Sequence, residues 1–168
     1  MRSGTEVKAN LEVIAHLAQL ASGAGARYLL TPEMSVAFAE NRAQLAAISE
    51  PFAGNSALAQ CAKIARETGI ALHIGSLAIA TGDGKFTNRS VLFGPDGAIL
   101  ATYDKIHLFD ANLPGERAYL ESATYSGGDH LVWADVEQMR LGLSICYDMR
   151  FAQLYTDLAL GGAAMISV

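Results

Sequence analysis

The sequence predicts an α/β fold. Val7, Leu11, Ile14, Ala18 and Ala21 recur at helical spacing ahead of a short apolar strand, Tyr28-Leu29-Leu30. The middle of the chain alternates as strands do and breaks at Gly82-Asp83-Gly84 and Pro95-Asp96-Gly97. A helix-like segment near 151–160 then leads through Gly161-Gly162 to an apolar strand at 163–168.

Ser3-Gly4-Thr5-Glu6 has the spacing of a capping box, which predicts a first helix over 5–22, ended by Gly23 and Gly25. The strand at 28–30 closes on Thr31-Pro32. A second helix covers 41–48, and a third runs from Ser56 to Thr68, capped by Asn55 and stopped by Gly69. Strands at 70–80, 87–93 and 98–106 should form antiparallel hairpins. Residues 107–129, with Pro114, Gly115, Gly127 and Gly128, read as one long polar loop, and such loops are more often functional than idle. Strands at 130–136 and 140–146 follow, then the helix and the last strand. A strand as apolar as Ala-Ala-Met-Ile-Ser-Val is normally covered on both faces by later elements. A helix opens the chain where an α/β domain often begins with a strand. The expectation is one partial domain over 1–168, lacking its first strand and its C-terminal part.

With 51% hydrophobic and 17% charged residues, the chain is too apolar for disorder. A net charge of −5, with Lys and Arg spread singly, argues against nucleic acid or an anionic membrane as partner. No apolar run approaches a membrane span, and Met-Arg-Ser-Gly-Thr-Glu lacks a signal core. Cys61 and Cys146 lie far apart in different contexts, which fits a reducing cytoplasm better than a disulfide scaffold.

Three segments carry chemistry, each at a strand end. Leu141-Gly-Leu-Ser-Ile-Cys-Tyr-Asp-Met-Arg-Phe151 alternates like a strand and puts Cys146 where a helix-like segment begins. The N–H groups of such a turn favour thiolate over thiol, although free cysteine is also often a small buried hydrophobe. Leu30-Thr31-Pro32-Glu33-Met34 sets a carboxylate directly after a buried strand, where α/β sites lie; an ordinary solvated Glu is the plainer reading. Tyr103-Asp104-Lys105-Ile106-His107-Leu108-Phe109-Asp110 ends a hairpin strand on a lysine, which in isolation reads as a surface ion pair with Asp104 or Asp110. Together a cysteine nucleophile, a glutamate base and a lysine facing a developing oxyanion form a working set without histidine.

Pro32-Glu33-Met34, Lys105-Ile-His-Leu-Phe-Asp110 and Cys146-Tyr-Asp-Met-Arg-Phe151 resemble, in order, the three catalytic motifs of the nitrilase superfamily of carbon–nitrogen hydrolases. The resemblance runs over the whole chain. It implies a four-layer α-β-β-α sandwich, homo-oligomers, and no metal or organic cofactor. By position it makes Glu33 the base, Lys105 the oxyanion holder and Cys146 the nucleophile, with the Tyr147 N–H completing the oxyanion site. Many members use a second glutamate. Glu116 and Glu121 are available, and the run Glu121-Ser-Ala-Thr-Tyr-Ser-Gly-Gly128 favours Glu121. The last two motifs look most like the omega-amidase and deaminated-glutathione amidase branch, whose small amide substrates carry a carboxylate. Arg150 is the candidate cation for it, or else a tie to Asp148. Tyr125 and Phe109 are candidate pocket walls, with core packing equally open. Hydrolysis of N-carbamoyl amino acids, and a non-catalytic fragment, are the alternatives.

His16, His73, His107 and His130 show no metal-ligand spacing, and His107 reads as structural. Gly142-Leu143-Ser144 begins like a nucleophile elbow, but its fifth residue is Cys146 and not glycine, which argues against a serine hydrolase. Cys61 shares an inner helix face with Leu58, Ala62 and Ala65, as core packing requires.

Overall fold

In a computed structural model, which describes residues 1–112 and 118–168, two helices, two sheets and a further helix stack in layers. The helices α1 (Val7–Gly23), α2 (Arg42–Ile48) and α3 (Ser56–Thr68) and the strand β1 (Tyr28–Leu30) come first. They are followed by β2 (Ala71–Ala80), β3 (Phe86–Phe93) and β4 (Ile99–Asp104). β1 runs parallel to β2, and β2, β3 and β4 are antiparallel neighbours in one sheet. β7 (Trp133–Val136), β8 (Met139–Gly142) and β9 (Met165–Ile166) form a second sheet, with α4 (Ala152–Leu160) between β8 and β9.

Side-chain alternation explains the layering. Leu72, Ile74, Val91 and Phe93 turn toward Ile14, Ala18, Cys61 and Ala65 of α1 and α3. Ala71, Leu92 and Tyr103 turn the other way, against Ala134, Leu141 and Ile145 of the second sheet. On that sheet's far side lies α4: Leu154 and Leu158 are buried, and the Trp133 indole N–H donates to Leu158 O at 2.9 Å. This is the α-β-β-α sandwich. A bulge between Ile74 and Leu77 shifts the parity of β2, so Leu77 and Ile79 rejoin the helix-facing core.

Several boundaries differ from the sequence reading. Asn55 caps α3 and Gly69 ends it at φ 66°, as expected, whereas Asn41 lies just before α2 and caps it. The capping box at α1 does not form. Glu6 is the cap residue without a side-chain bond, and the Ser3 hydroxyl donates instead to Ser35 O at 3.1 Å. The strand expected at 140–146 leaves regular pairing after Gly142, and a tight 3-10 turn, Cys146–Arg150, precedes α4. The long loop carries regular structure. It contains the two-residue strands β5 (Asp110–Ala111) and β6 (Tyr119–Leu120), paired antiparallel, and a 3-10 turn at Glu121–Ala123. Pro114, Gly115 and Glu116 lie outside the described residues. Among the described residues no helix is long and apolar enough to cross a membrane.

Candidate active site

Glu33, Lys105, Glu121 and Cys146 converge from four segments. Glu33 sits just past β1, in a turn pinned to the bulge of β2: Met34 N donates to Ser76 Oγ at 2.9 Å, and Ser35 N to Ser76 O at 3.1 Å. Met34 has φ 51°, a left-handed conformation that a non-glycine residue adopts only when its surroundings hold it there. Lys105 extends β4 by one further bond, its N–H donating to Asn88 O at 2.9 Å. Its ammonium donates to Glu33 Oε1 at 3.0 Å and to both oxygens of Glu121, at 3.2 and 3.1 Å. Phe109 N donates to Glu121 Oε2 at 2.6 Å, which fixes the second carboxylate from the other side.

Lys105 and Glu121 are buried, whereas the Glu33 side chain keeps 31% of its surface in reach of a substrate. Burial works against the Lys105 charge, but the carboxylates of Glu33 and Glu121 outweigh it and hold the ammonium above its ordinary range. Lys105 is thus a permanent cation between two carboxylates. It is not the surface ion pair that the sequence left open. Asp104 pairs instead with Arg89 across the strands, at 2.7 Å through each oxygen.

Cys146 is exposed, at φ 46°. An exposed cysteine on a strained turn between a strand and a helix has the geometry of an elbow, here reached without glycine. One expectation is corrected. The thiol is pushed up, not down, by burial and then by the charge of Glu33, with Lys105 opposing. The resting residue is a thiol that needs a base.

Two further residues join the site: Asn88, which the sequence reading passed over, and Asp148, which it weighed only as a partner for Arg150. Asn88 is buried, and its Nδ2 donates to Glu33 Oε1 at 2.7 Å and to Glu121 Oε1 at 3.3 Å. Asp148, fully buried, accepts from Tyr103, Ile145 and His107. Asn88 carries no sequence signal, sitting mid-strand between Thr87 and Arg89. Asp148 carries one, an acidic residue right behind the nucleophile.

Of the other candidates, Phe109 and Tyr147 come together edge to face, with ring centroids 4.9 Å apart, and Tyr147 meets Phe151 at 5.5 Å. Tyr125 packs on buried Phe86 at 6.2 Å, and burial raises its phenol strongly, with the charge of Glu121 adding to it. Arg150 is exposed, and the tie to Asp148 does not form: the Asp148 oxygens are taken by the donors named above. Arg150 lines an open cleft of about 490 Å³ with His107, Phe151 and Asp157. Cys61 is fully buried in the helix-facing core, where burial pushes its thiol up to about 12.

A family model described as "Carbon-nitrogen hydrolase" matches residues 1–168. A hydrolase of Mycobacterium tuberculosis is 38% identical over 170 residues, taking in 100% of this chain and 58% of that protein. The deaminated glutathione amidase of Yersinia enterocolitica is 35% identical over 99% of this chain and 58% of its own length. The omega-amidase of Homo sapiens is 44% identical over 62% of this chain and 37% of that enzyme. The solved amidase from Nesterenkonia sp. AN1 superposes with a TM-score of 0.83 at 28% identity, over 99% of this chain and 62% of that one. The chain therefore spans 58% of the length of the first two relatives.

Proposed function

The chain belongs to the carbon–nitrogen hydrolase family, and on that premise we propose that the protein containing it is an amidase with Cys146 as nucleophile, Glu33 as base and Lys105 as oxyanion cation. The observation that carries this reading is the Lys105 ammonium held between Glu33 and Glu121 beside a cysteine on a strained turn. A related enzyme supports it: in a mutant of the Nesterenkonia amidase, acrylamide undergoes Michael addition at the active-site cysteine.

The reaction proceeds by acyl transfer. Glu33 takes the proton of the raised Cys146 thiol as sulfur attacks the amide carbon. The Lys105 ammonium and the Tyr147 N–H face the oxyanion. Glu33 passes its proton to the leaving nitrogen, ammonia departs, and a thioester remains. A water that gives its proton to Glu33 attacks the thioester, the carbon–sulfur bond breaks as Glu33 returns that proton to Cys146, and a carboxylic acid leaves. Glu121 holds Lys105 in register throughout and orients the leaving ammonia. The substrate is a small amide bearing a carboxylate, such as 2-oxoglutaramate or deaminated glutathione. What supports this is the resemblance of the lysine and cysteine motifs to that branch, together with the identity to a deaminated glutathione amidase and an omega-amidase. Phe109, Tyr147 and Tyr125 wall the pocket, and exposed Arg150 supplies the cation for that carboxylate if the substrate extends to it. The enzyme works in the reducing cytoplasm as a homo-oligomer.

The test is ammonia release from 2-oxoglutaramate, succinamate and deaminated glutathione by the full-length protein, beside its Cys146→Ser variant. Release that disappears in the variant supports the reading. A folded wild-type protein that releases ammonia from none of these, nor from an N-carbamoyl amino acid, overturns it.

A further inference from the structure

Asp148 is a fully buried carboxylate with four donors and no Lys or Arg partner among the described residues. Ile145 N donates to Oδ2 at 3.0 Å, and Asp148 N returns a bond to Ile145 O at 3.1 Å. The residue before Cys146 and the residue two places after it are thus locked together, with the nucleophile at φ 46° between them. The Tyr103 hydroxyl also donates to Oδ2, at 2.7 Å. Oδ1 accepts from His107 N at 2.9 Å and from its ring Nδ1 at 2.8 Å. Tyr103 and His107 stand two residues before and two residues after Lys105.

From this geometry we propose that Asp148 is the positioning residue of the nucleophile: its carboxylate holds Cys146 in the left-handed conformation and clamps that turn to the lysine segment. The proposal rests on reading Cys146 as nucleophile and Lys105 as its cation. Physically, a non-glycine residue at positive φ is strained and persists only where its neighbours over-determine it. Bonds to a carboxylate are strong, and here the one from Ile145 N reaches across the strained residue to the Asp148 side chain. The same carboxylate spans the two segments whose relative placement decides whether thiol and ammonium meet one carbonyl, and small misplacements at such a point cost rate steeply. The Tyr103 phenol is raised mainly by burial and then by its bond to Asp148, as befits a hydroxyl that stays protonated to donate. The His107 ring is stacked on Phe151 at 3.6 Å, which holds Nδ1 on the carboxylate.

The experiment pairs turnover with alkylation of Cys146 by iodoacetamide across pH, in the full-length protein, for Asp148→Asn, Tyr103→Phe, His107→Ala and His107→Asn. Asp148→Asn should lower kcat about 100-fold with KM changed less than about threefold. Its Cys146 labelling profile should move toward that of an unperturbed cysteine, because the thiol no longer sits against Glu33 and Lys105. His107→Ala should show a smaller loss of both, and His107→Asn, which keeps a donor toward Asp148, should restore part of it. Should Asp148→Asn fail to fold, Tyr103→Phe and His107→Ala each remove one donor and carry the test alone. Folded variants with wild-type kcat and an unmoved labelling profile overturn the proposal, as does a fall in kcat with labelling unchanged. A wild-type protein without amidase activity whose labelling still shifts in Asp148→Asn would defeat the proposed function while leaving the clamp standing.

Discussion

The Cα of Gly75 lies so close under the carbonyl of Thr31 that a Cβ built there would stand 2.1 Å from that oxygen, with Pro32 O at 2.6 Å. The contact joins the bulge of β2 to the turn that carries Glu33, and no side chain fits between them. Gly75→Ala must therefore push the turn outward. We expect about 1–3 kcal/mol of destabilisation and a fall in kcat/KM of about 100-fold, since Glu33 moves with the backbone. Thermal unfolding and steady-state turnover measure both. An alanine variant with normal turnover would show that the turn is not what places the base.

Asn88 separates two carboxylates that share one lysine. Its amide nitrogen donates to both Glu33 and Glu121, at 2.7 and 3.3 Å, and so offsets their repulsion without adding charge. Asn88→Ala should cost about 1.5–3 kcal/mol of stability, the range for bonds to charged groups, along with much of kcat. Asn88→Asp conserves shape but adds a third carboxylate to the cluster, so its loss of kcat/KM at neutral pH should exceed that of alanine. The order of the two variants is the check. An aspartate milder than alanine would mean that volume, not the donated bonds, is what Asn88 supplies.

Much of this arrangement can be read from residues alone, for physical reasons. Apolar spacing marks α1 and α3 because each buries one stripe against one sheet. The strand-end positions of Glu33, Lys105 and Cys146 are legible because sheets deliver their terminal residues to one edge. Contacts made by distant segments are not legible. The Ser3 hydroxyl abandons its expected cap for a carbonyl 32 residues away. Asn88 gives no sign mid-strand of the second glutamate that meets it from 33 residues away. The strands β5 and β6 are too short to show a period. The thiol of Cys146 was expected to ionise from the field of its own turn. Burial reverses this, reinforced by a carboxylate that arrives from residue 33, and the turn carries no sign of either.

His73 predicts an acid limit to stability. It is buried between Tyr28, whose hydroxyl meets Nδ1 at 2.6 Å, and Ser90, whose Oγ meets Nε2 at 2.6 Å. Ser90 in turn donates to Ile74 O at 3.2 Å, so the neutral ring with its proton on Nε2 satisfies the whole chain of bonds. Burial pushes the imidazole down from 6.5 to about 4. Between those values the unfolded chain binds the proton and the folded one does not. Stability is then fully present above about pH 6.5 and is lost progressively as pH falls toward 4, by up to about 3 kcal/mol. Unfolding followed from pH 7 to pH 4 should show this slope, and His73→Gln, which cannot charge, should flatten it.

Glu33 and Lys105 should act on the Cys146 thiol in opposite senses. Burial and the negative charge of Glu33 hold the thiol up, and Lys105 pulls it down. In Glu33→Gln the charge disappears, the thiolate becomes easier to form, and alkylation near pH 8 should speed up severalfold. Turnover should fall about 100- to 10,000-fold, because glutamine accepts no proton. Lys105→Met should slow both alkylation and turnover. Cys61 serves as the internal control, since its buried thiol is pushed up to about 12 and should stay unlabelled while the protein is folded. Mass-resolved labelling against pH reads all three. A cysteine preset as thiolate by an ion pair would lose reactivity when its surroundings were disturbed in either way. Faster labelling with arrested turnover in Glu33→Gln fits instead a carboxylate that keeps the thiol protonated at rest and removes the proton only as the bond to carbon forms.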